Sequence, residues 1–268
     1  MNSSPQTELP LDERDALPAD RWRSTWSVLL VQSQNAFNDN VVKFVLVGLA
    51  LVVARGTAIG DNIEILTSSI LPIPFILLAP LAGFVSDRFS KRSVMVACLI
   101  AQTAIFAVIW AGLQMGDIRV ALGGFVLLSI QSTFFSPAEF GIAKELVGSR
   151  RLGMVAGWMG MASMLAILGG MTLGGELFAD LNRTMGDAWA ASSRIVLWVG
   201  IASLVPLALV GLVSPTPSNL EVRFRPGLLV DHFVHLRNAL RVRDLRVTML
   251  ALCFFWFVCY LMGLFTIN

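Results

Sequence analysis

Seven runs of predominantly apolar residues, at about 26–53, 63–85, 94–113, 119–139, 153–177, 194–213 and 246–267, constrain this chain more than any other feature. Each is close to or above the ~20 residues that an α-helix needs to cross a hydrocarbon core. Polar residues gather in short islands between the runs, so the solvent for most of the chain is lipid. In lipid every backbone N–H and C=O must be satisfied within the chain, and the runs lack the alternation of a membrane β-strand. The expected fold class is therefore all-α, a polytopic membrane protein. Composition agrees, with 56% of the residues hydrophobic and 14% charged, against about 25% charged in soluble domains. A net charge of +2 gives no argument for a nucleic-acid partner.

The placement of the charges sets an expected orientation. Arg14, Arg21 and Arg23 precede the first run, Arg88, Lys91 and Arg92 follow the second, and Lys144, Arg150 and Arg151 follow the fourth. Arg223, Arg225, Arg237, Arg241, Arg243 and Arg246 lie ahead of or at the start of the seventh, so alternate connections carry fifteen basic residues. The opposite connections carry four: Arg55, Arg119, Arg183 and Arg194. By the positive-inside rule the N-terminus is cytoplasmic. Residues 1–25, with Pro5, Pro10 and Pro18 among mixed charges, read as a disordered cytoplasmic tail. Residues 26–213 read as a six-helix bundle, and 214–245 as a cytoplasmic linker. Within that linker Leu229, Phe233, Leu236 and Leu240 recur at helical spacing, which suggests an amphipathic helix on the leaflet; a plain connector is the alternative. Residues 246–268 form the seventh span.

Six spans, a long basic cytoplasmic segment and then a seventh span is the layout of a transporter built from two six-helix halves. Twelve spans at about 30 residues each would need roughly 400. The chain is therefore expected to hold one half and the start of a missing second.

The first run carries the most informative side chains: Gln32, Asn35, Asn38, Asp39, Asn40 and Lys43. At 100° per residue, Gln32, Asn35, Asp39 and Lys43 fall within an arc of about 80°, one polar stripe near mid-membrane. Asp39 and Lys43 are four apart and can pair, which offsets the ~2.5–3.5 kcal/mol that each charge costs at a helix centre. Such a pair can be simple glue between helices. The added amides favour the other reading, a hydrated cavity wall where Asp39 attracts a cationic group, Lys43 an anionic one, and the amides bond either. Gln131, Ser132 and Thr133 in the fourth run add hydrogen-bond donors to that cavity, unless their hydroxyls bond back to their own helix.

Enzyme chemistry finds no foothold. The only histidines, His232 and His235 beside Asp231, read as a solvated helix face rather than a metal site. Cys98, Cys253 and Cys259 lie inside apolar runs without metal-ligand spacing. No Walker loop, Gly-x-Ser-x-Gly or dinucleotide fingerprint occurs, so no cofactor is implied. Span five carries Gly153-x-x-x-Gly157 and Gly170-x-x-x-Gly174, the spacing of closely packed helices.

Between the second and third runs stands Gly83-Phe84-Val85-Ser86-Asp87-Arg88-Phe89-Ser90-Lys91-Arg92. With Gly83, Asp87, Arg88, Lys91 and Arg92 at these offsets, the sequence resembles the major facilitator superfamily. In such a loop Gly allows close helix approach, Asp pairs with a cation or caps a helix, and the basic residues hold the loop at the anionic leaflet. The resemblance assigns it a role in conformational gating. Asn35-Ala36-Phe37-Asn38-Asp39-Asn40 with Lys43-Phe44, Leu71-Pro72, Ala79-Pro80-Leu81-Ala82-Gly83, Phe135-Ser136-Pro137-Ala138-Glu139-Phe140-Gly141-Ile142 and Phe254-Phe255-Trp256-Phe257 are similar to segments of one branch, the lysophospholipid transporters. The sequence departs at Glu139 and Phe140, where that branch is expected to carry Lys and Tyr, reversing a charge at what the resemblance makes the cytoplasmic mouth, with Pro137 and Gly141 beside it.

The resemblance implies an inner-membrane transporter of bacteria that flips a lysophospholipid by alternating access; it leaves Na+ or H+ coupling open and permits an acyltransferase or acyl-carrier-protein synthetase as partner or fusion. The other readings are a facilitator or exporter of another amphiphile or small solute, and a truncated membrane module that does not transport.

Overall fold

The computed structural model describes residues 19–214, 218–219, 234 and 237–267. These are helices and turns, with no strand among the described residues. The tail 1–18, Leu229, Phe233, Leu236 and the group Asp231, His232 and His235 lie outside them. The chain divides into two units, Met1–Val222 and Arg223–Asn268.

In the first unit α1 spans Ala19–Val53, α2 Ile63–Ile70, α3 Pro72–Arg88, α4 Lys91–Gln114, α5 Ile118–Met185, α6 Ala188–Ala202 and α7 Leu204–Leu209, followed by a 3-10 turn over Val210–Leu212. Helix α1 begins before the apolar run because its first turns have partners. Arg21 donates to the carbonyls of Glu145 and Leu146, at 3.3 and 3.4 Å, and Trp26 stacks on Trp158 at 5.4 Å.

Helix α5 has 68 residues, about 100 Å at 1.5 Å per residue and over three times the ~30 Å core. It is two crossings joined at Gly148, whose φ of 68° and ψ of 175° only glycine adopts readily. Contacts with α1 prove the reversal. Along the first arm, Ser132 meets Asp39 and Glu145 meets Arg21, so numbers rise in opposite directions. Along the second arm, Met159 meets Gln32, Gly170 meets Phe37 and Phe178 meets Gly48, so they rise together. The connection expected over about 140–152 is thus nearly all helix, because Lys144, Glu145, Arg150 and Arg151 extend the two arms past the apolar runs.

The second expected span is broken at Leu71 between α2 and α3. Pro74 has no N–H to give the carbonyl of Ile70. The buried Ser129 hydroxyl lies 3.0 Å from that carbonyl and 2.9 Å from that of Leu71, and supplies the missing donor. At the ends of α4 and α5 two Gly-Asp turns repeat. Asp117 accepts from the Arg119 N–H, and Asp187 from those of Trp189 and Ala190, each capping the helix that follows.

Two apolar clusters hold this unit together. One joins Leu46, Leu49, Phe106, Ile109, Phe125 and Ile195. The other joins Val31, Met95, Leu99, Phe135, Ile142 and Met159. The outer faces are apolar too, with Ile76, Ile65 and Leu165 all more than 60% exposed, as lipid-facing surfaces must be. Five stretches are long and apolar enough to cross a membrane, and α5 crosses twice, which accounts for the six expected spans.

In the second unit, residues 237–241 are helical and α8 runs over Arg243–Ile267, covering the seventh apolar run. Asp244 stands in its first turn and accepts the Thr248 hydroxyl at its carbonyl, 2.9 Å away.

Candidate functional site

A polar layer separates the two apolar clusters. On α1 it falls between Val31 and Val41, on α4 between Leu99 and Ile105, and on the first arm of α5 between Leu128 and Phe135. The sequence fills these gaps with Gln32, Asn35, Asn38 and Asp39, with Gln102, and with Ser129, Gln131, Ser132 and Thr133, all buried. The layer lies midway along the helices.

Asp39 is its centre. The Ser132 hydroxyl donates to its Oδ2 at 2.7 Å, across two helices. Its Oδ1 is buried and has no partner among the described residues. Gln102 donates to Asn35 Oδ1 at 2.9 Å. Gln32 donates to the Met159 carbonyl at 3.3 Å and to Ser163 Oγ at 2.5 Å on the second arm of α5. Gln34 donates to Asn38 Oδ1 at 3.1 Å. Thr133 bonds back to the Ser129 carbonyl at 2.9 Å, the local role open to all such hydroxyls.

The expected Asp39–Lys43 pair does not form. Lys43 donates to Ser68 on α2 at 3.2 Å. A helix-spacing rule places the two residues on one face, but neighbouring helices supply closer partners to each. Asn40 also leaves the group, donating to the Ala36 carbonyl of its own helix at 2.8 Å. The stripe is therefore a node binding α1 to α2, α4 and both arms of α5.

Gluing does not account for all of it. Gln32 Oε1, Asn38 Nδ2, Asp39 Oδ1, Gln102 Oε1 and Gln131 Nε2 are buried without hydrogen-bond partners. Each such atom costs about 1–3 kcal/mol, so a purely structural node would be expected to use fewer of them. Glu139, expected at a mouth, is 6% exposed. Pro137 interrupts the arm's hydrogen bonding two residues before it.

The side chains of the signature loop reach several helices. Asp87 is exposed, and Gly83 has nothing within 4 Å of where a Cβ would stand, so it mediates no close approach among the described residues. Arg88 lies over the rings of Phe84 and Phe89. Lys91 pairs with Glu145, its stem packed on Gly141. Arg92 donates to the carbonyls of Val210 and Gly211 at 3.4 and 3.0 Å. The loop's cations thus tie α4 to the first arm of α5 and to the end of the last crossing. In span five, Gly170 and Gly174 pack on the α1 backbone, while Gly153 and Gly157 touch nothing within 4 Å.

Gln102, Ser163, Ser68 and Ser129 escaped sequence reading. Their signal is weak, since each is one neutral polar residue in an apolar run.

The Pectobacterium carotovorum lysophospholipid transporter LplT is 27% identical over 240 residues, which cover 87% of this chain and 53% of that relative. The Photorhabdus laumondii LplT is 31% identical over 165 residues, 60% of this chain and 37% of its own length. The Serratia proteamaculans LplT is 30% identical over 155 residues, 58% and 36%. The chain spans about half the length, or less, of these curated relatives. The profile of the Major Facilitator Superfamily matches residues 29–268, and with six crossings around a buried polar layer the chain belongs to that superfamily of membrane transporters.

Proposed function

We propose that the polar layer is the headgroup site of a carrier that flips a lysophospholipid across the inner membrane, the substrate for which the relatives are named. The observation that carries this reading is Asp39: a buried acid at mid-membrane, held by a hydroxyl from another crossing and left with one free oxygen. Ionisable groups so placed mark substrate pathways. The layer adds Gln32, Asn35 and Gln131, and Gln131 also borders an apolar cavity of about 590 Å³ between α3, α4 and the first arm of α5. That volume lies in the ~300–1,000 Å³ range of small-molecule sites, and its lining suits a single acyl chain. Movement follows alternating access, with Asp87, Arg88, Lys91 and Arg92 at the gating end. The N-terminus and the 214–245 linker face the cytoplasm, where an acyltransferase or acyl-carrier-protein synthetase would consume the flipped lipid. Coupling to Na+ or H+ would use the same acid.

The test is flipping of a fluorescent lysophospholipid by the full chain in liposomes. Flipping should be lost in Asp39→Asn and retained in Asn40→Ala, which leaves the layer intact. Equal rates in Asp39→Asn and the parent would sink the headgroup assignment.

A further inference from the structure

Where α1 meets the start of the second arm of α5, three indoles and one cation form an unbroken set of contacts. Arg151 lies over the Trp22 ring, 5.9 Å from its centroid. Trp22 is 6.1 Å from Trp158, and Trp158 stacks on Trp26 at 5.4 Å. Arg21 holds this end of α1 in place through the carbonyls of Glu145 and Leu146. Arg151 stands just past Gly148, where the chain turns between its two crossings. The cluster takes no part in the polar layer.

The charge of Arg151 is unanswered. The side chain makes no ion pair among the described residues, and Glu145, the nearest acid in sequence on α5, is taken by Lys91. Arg23, beside Trp22 in sequence, and Lys144, beside Glu145, are exposed at the same end. An apolar strip leads away from these cations. Arg151, Met154, Trp158, Met161 and Leu165 recur at alternating spacings of three and four, one face of the arm. Met154, Met161 and Leu165 are 44%, 60% and 64% exposed. On α1, which rises in the same direction, Trp22, Trp26 and Leu30 recur every four residues, and Trp26 and Leu30 are at least half exposed. From Arg151 to Leu165 is about 21 Å at 1.5 Å per residue, more than half of the ~30 Å core. A cation at the rim, indoles beneath it and an apolar strip as deep as one leaflet match the profile of one phospholipid.

We infer that Arg151, Trp22, Trp26 and Trp158 form a docking site for one anionic phospholipid, with its phosphate on the guanidinium and an acyl chain along Met154, Met161 and Leu165. The ring contact engages the guanidinium through its charge and takes none of its five N–H donors, whose fork matches phosphate oxygens. A zwitterionic lipid is disfavoured, because its own ammonium meets the cations of Arg151, Arg23 and Lys144. The bound lipid clamps α1 to the second arm, and the site does not depend on what the polar layer carries.

Native mass spectrometry of the full chain, released from micelles doped with phosphatidylglycerol or phosphatidylcholine, counts the lipids that stay bound. The parent should retain one phosphatidylglycerol in preference to phosphatidylcholine. Arg151→Gln should retain it about fivefold less, the worth of one basic residue at an anionic surface. Arg151→Lys should recover part of the binding, since it returns the charge without the fork. Arg183→Gln, near the other end of the arm, removes an equal charge and should bind as the parent does. If Arg151→Gln does not fold, Trp26→Leu carries the same prediction, because a half-exposed indole can be shortened to another apolar side chain with α1 still packed. Equal retention of the two lipids, an equal loss in Arg183→Gln, or undiminished phosphatidylglycerol in the variant that folds would overturn the site. So would displacement of the lipid by an equal concentration of inorganic phosphate, which identifies a free-anion site. A dimer in the same spectra that excludes the lipid would give this face to a second copy of the chain and overturn it as well.

Discussion

The Ser132 hydroxyl is the only donor that reaches Asp39 among the described residues, so its loss leaves a buried carboxyl wholly unpaired. Ser132→Ala should lower stability by about 1–3 kcal/mol, read as a fall in the thermal unfolding temperature in detergent. Thr133→Ala, one residue on, removes only a bond to its own helix and a buried methyl group and should lower stability by about 1 kcal/mol. A double-mutant cycle of Asn35→Ala and Gln102→Ala should give a coupling of about 0.6–1.7 kcal/mol, the range for hydrogen bonds between membrane helices. At this scale the sequence singled out residues of the buried polar layer and did not reach their partners. Gln32, Asn35 and Asp39 stood out because amides and acids are rare in apolar runs. Their partners Ser163, Gln102 and Ser132 are 131, 67 and 93 residues away, and no local spacing rule connects such positions. The same limit explains Lys43, which four-residue spacing joined to Asp39 and the fold joined to α2.

Among the elements, the second arm of α5 separates packing glycines from free ones. Gly170 and Gly174 lie against the α1 backbone, where an added Cβ would come within 2.6 and 2.9 Å of carbonyl oxygens of Phe37 and Val41. Gly170→Leu or Gly174→Leu should therefore destabilise by about 1–3 kcal/mol through overpacking. Gly157→Leu meets open space and should shift the unfolding temperature little. Both pairs have the same small-xxx-small pattern, so only the rotation of the helix about its axis distinguishes them, and the motif does not encode rotation. The existence of the crossings was legible because length and apolarity fix them. Their breaks were less so: Leu71-Pro72 was visible as a motif, but its repair by Ser129 from another helix was not.

For the molecule as a whole, the alternation of charge predicts which turns share a side, and the antiparallel arms of α5 require the same alternation. In a chain with Cys98, Cys253 and Cys259 replaced, single cysteines at Ser90 and Ser149 should react with an impermeant maleimide from one side of the membrane. Cysteines at Thr57 and Thr184 should react from the other. Labelling of Ser149→Cys and Thr184→Cys from the same side would contradict two crossings in α5. The staples at Lys91 and Arg92 belong to this scale as well, because the sequence places them in a loop and the fold makes them join three crossings.

The bond between Asp39 and Ser132 also sets a schedule for synthesis. Asp39 enters the membrane 93 residues before its donor exists. At a translation rate of about 5–20 residues per second, that is a wait of roughly 5–20 s. During that interval the acid must be sheltered by water, by the insertion machinery or by a proton. A newborn first crossing is therefore a client for assistance until the fourth arrives, and premature release into lipid would leave the acid without a partner.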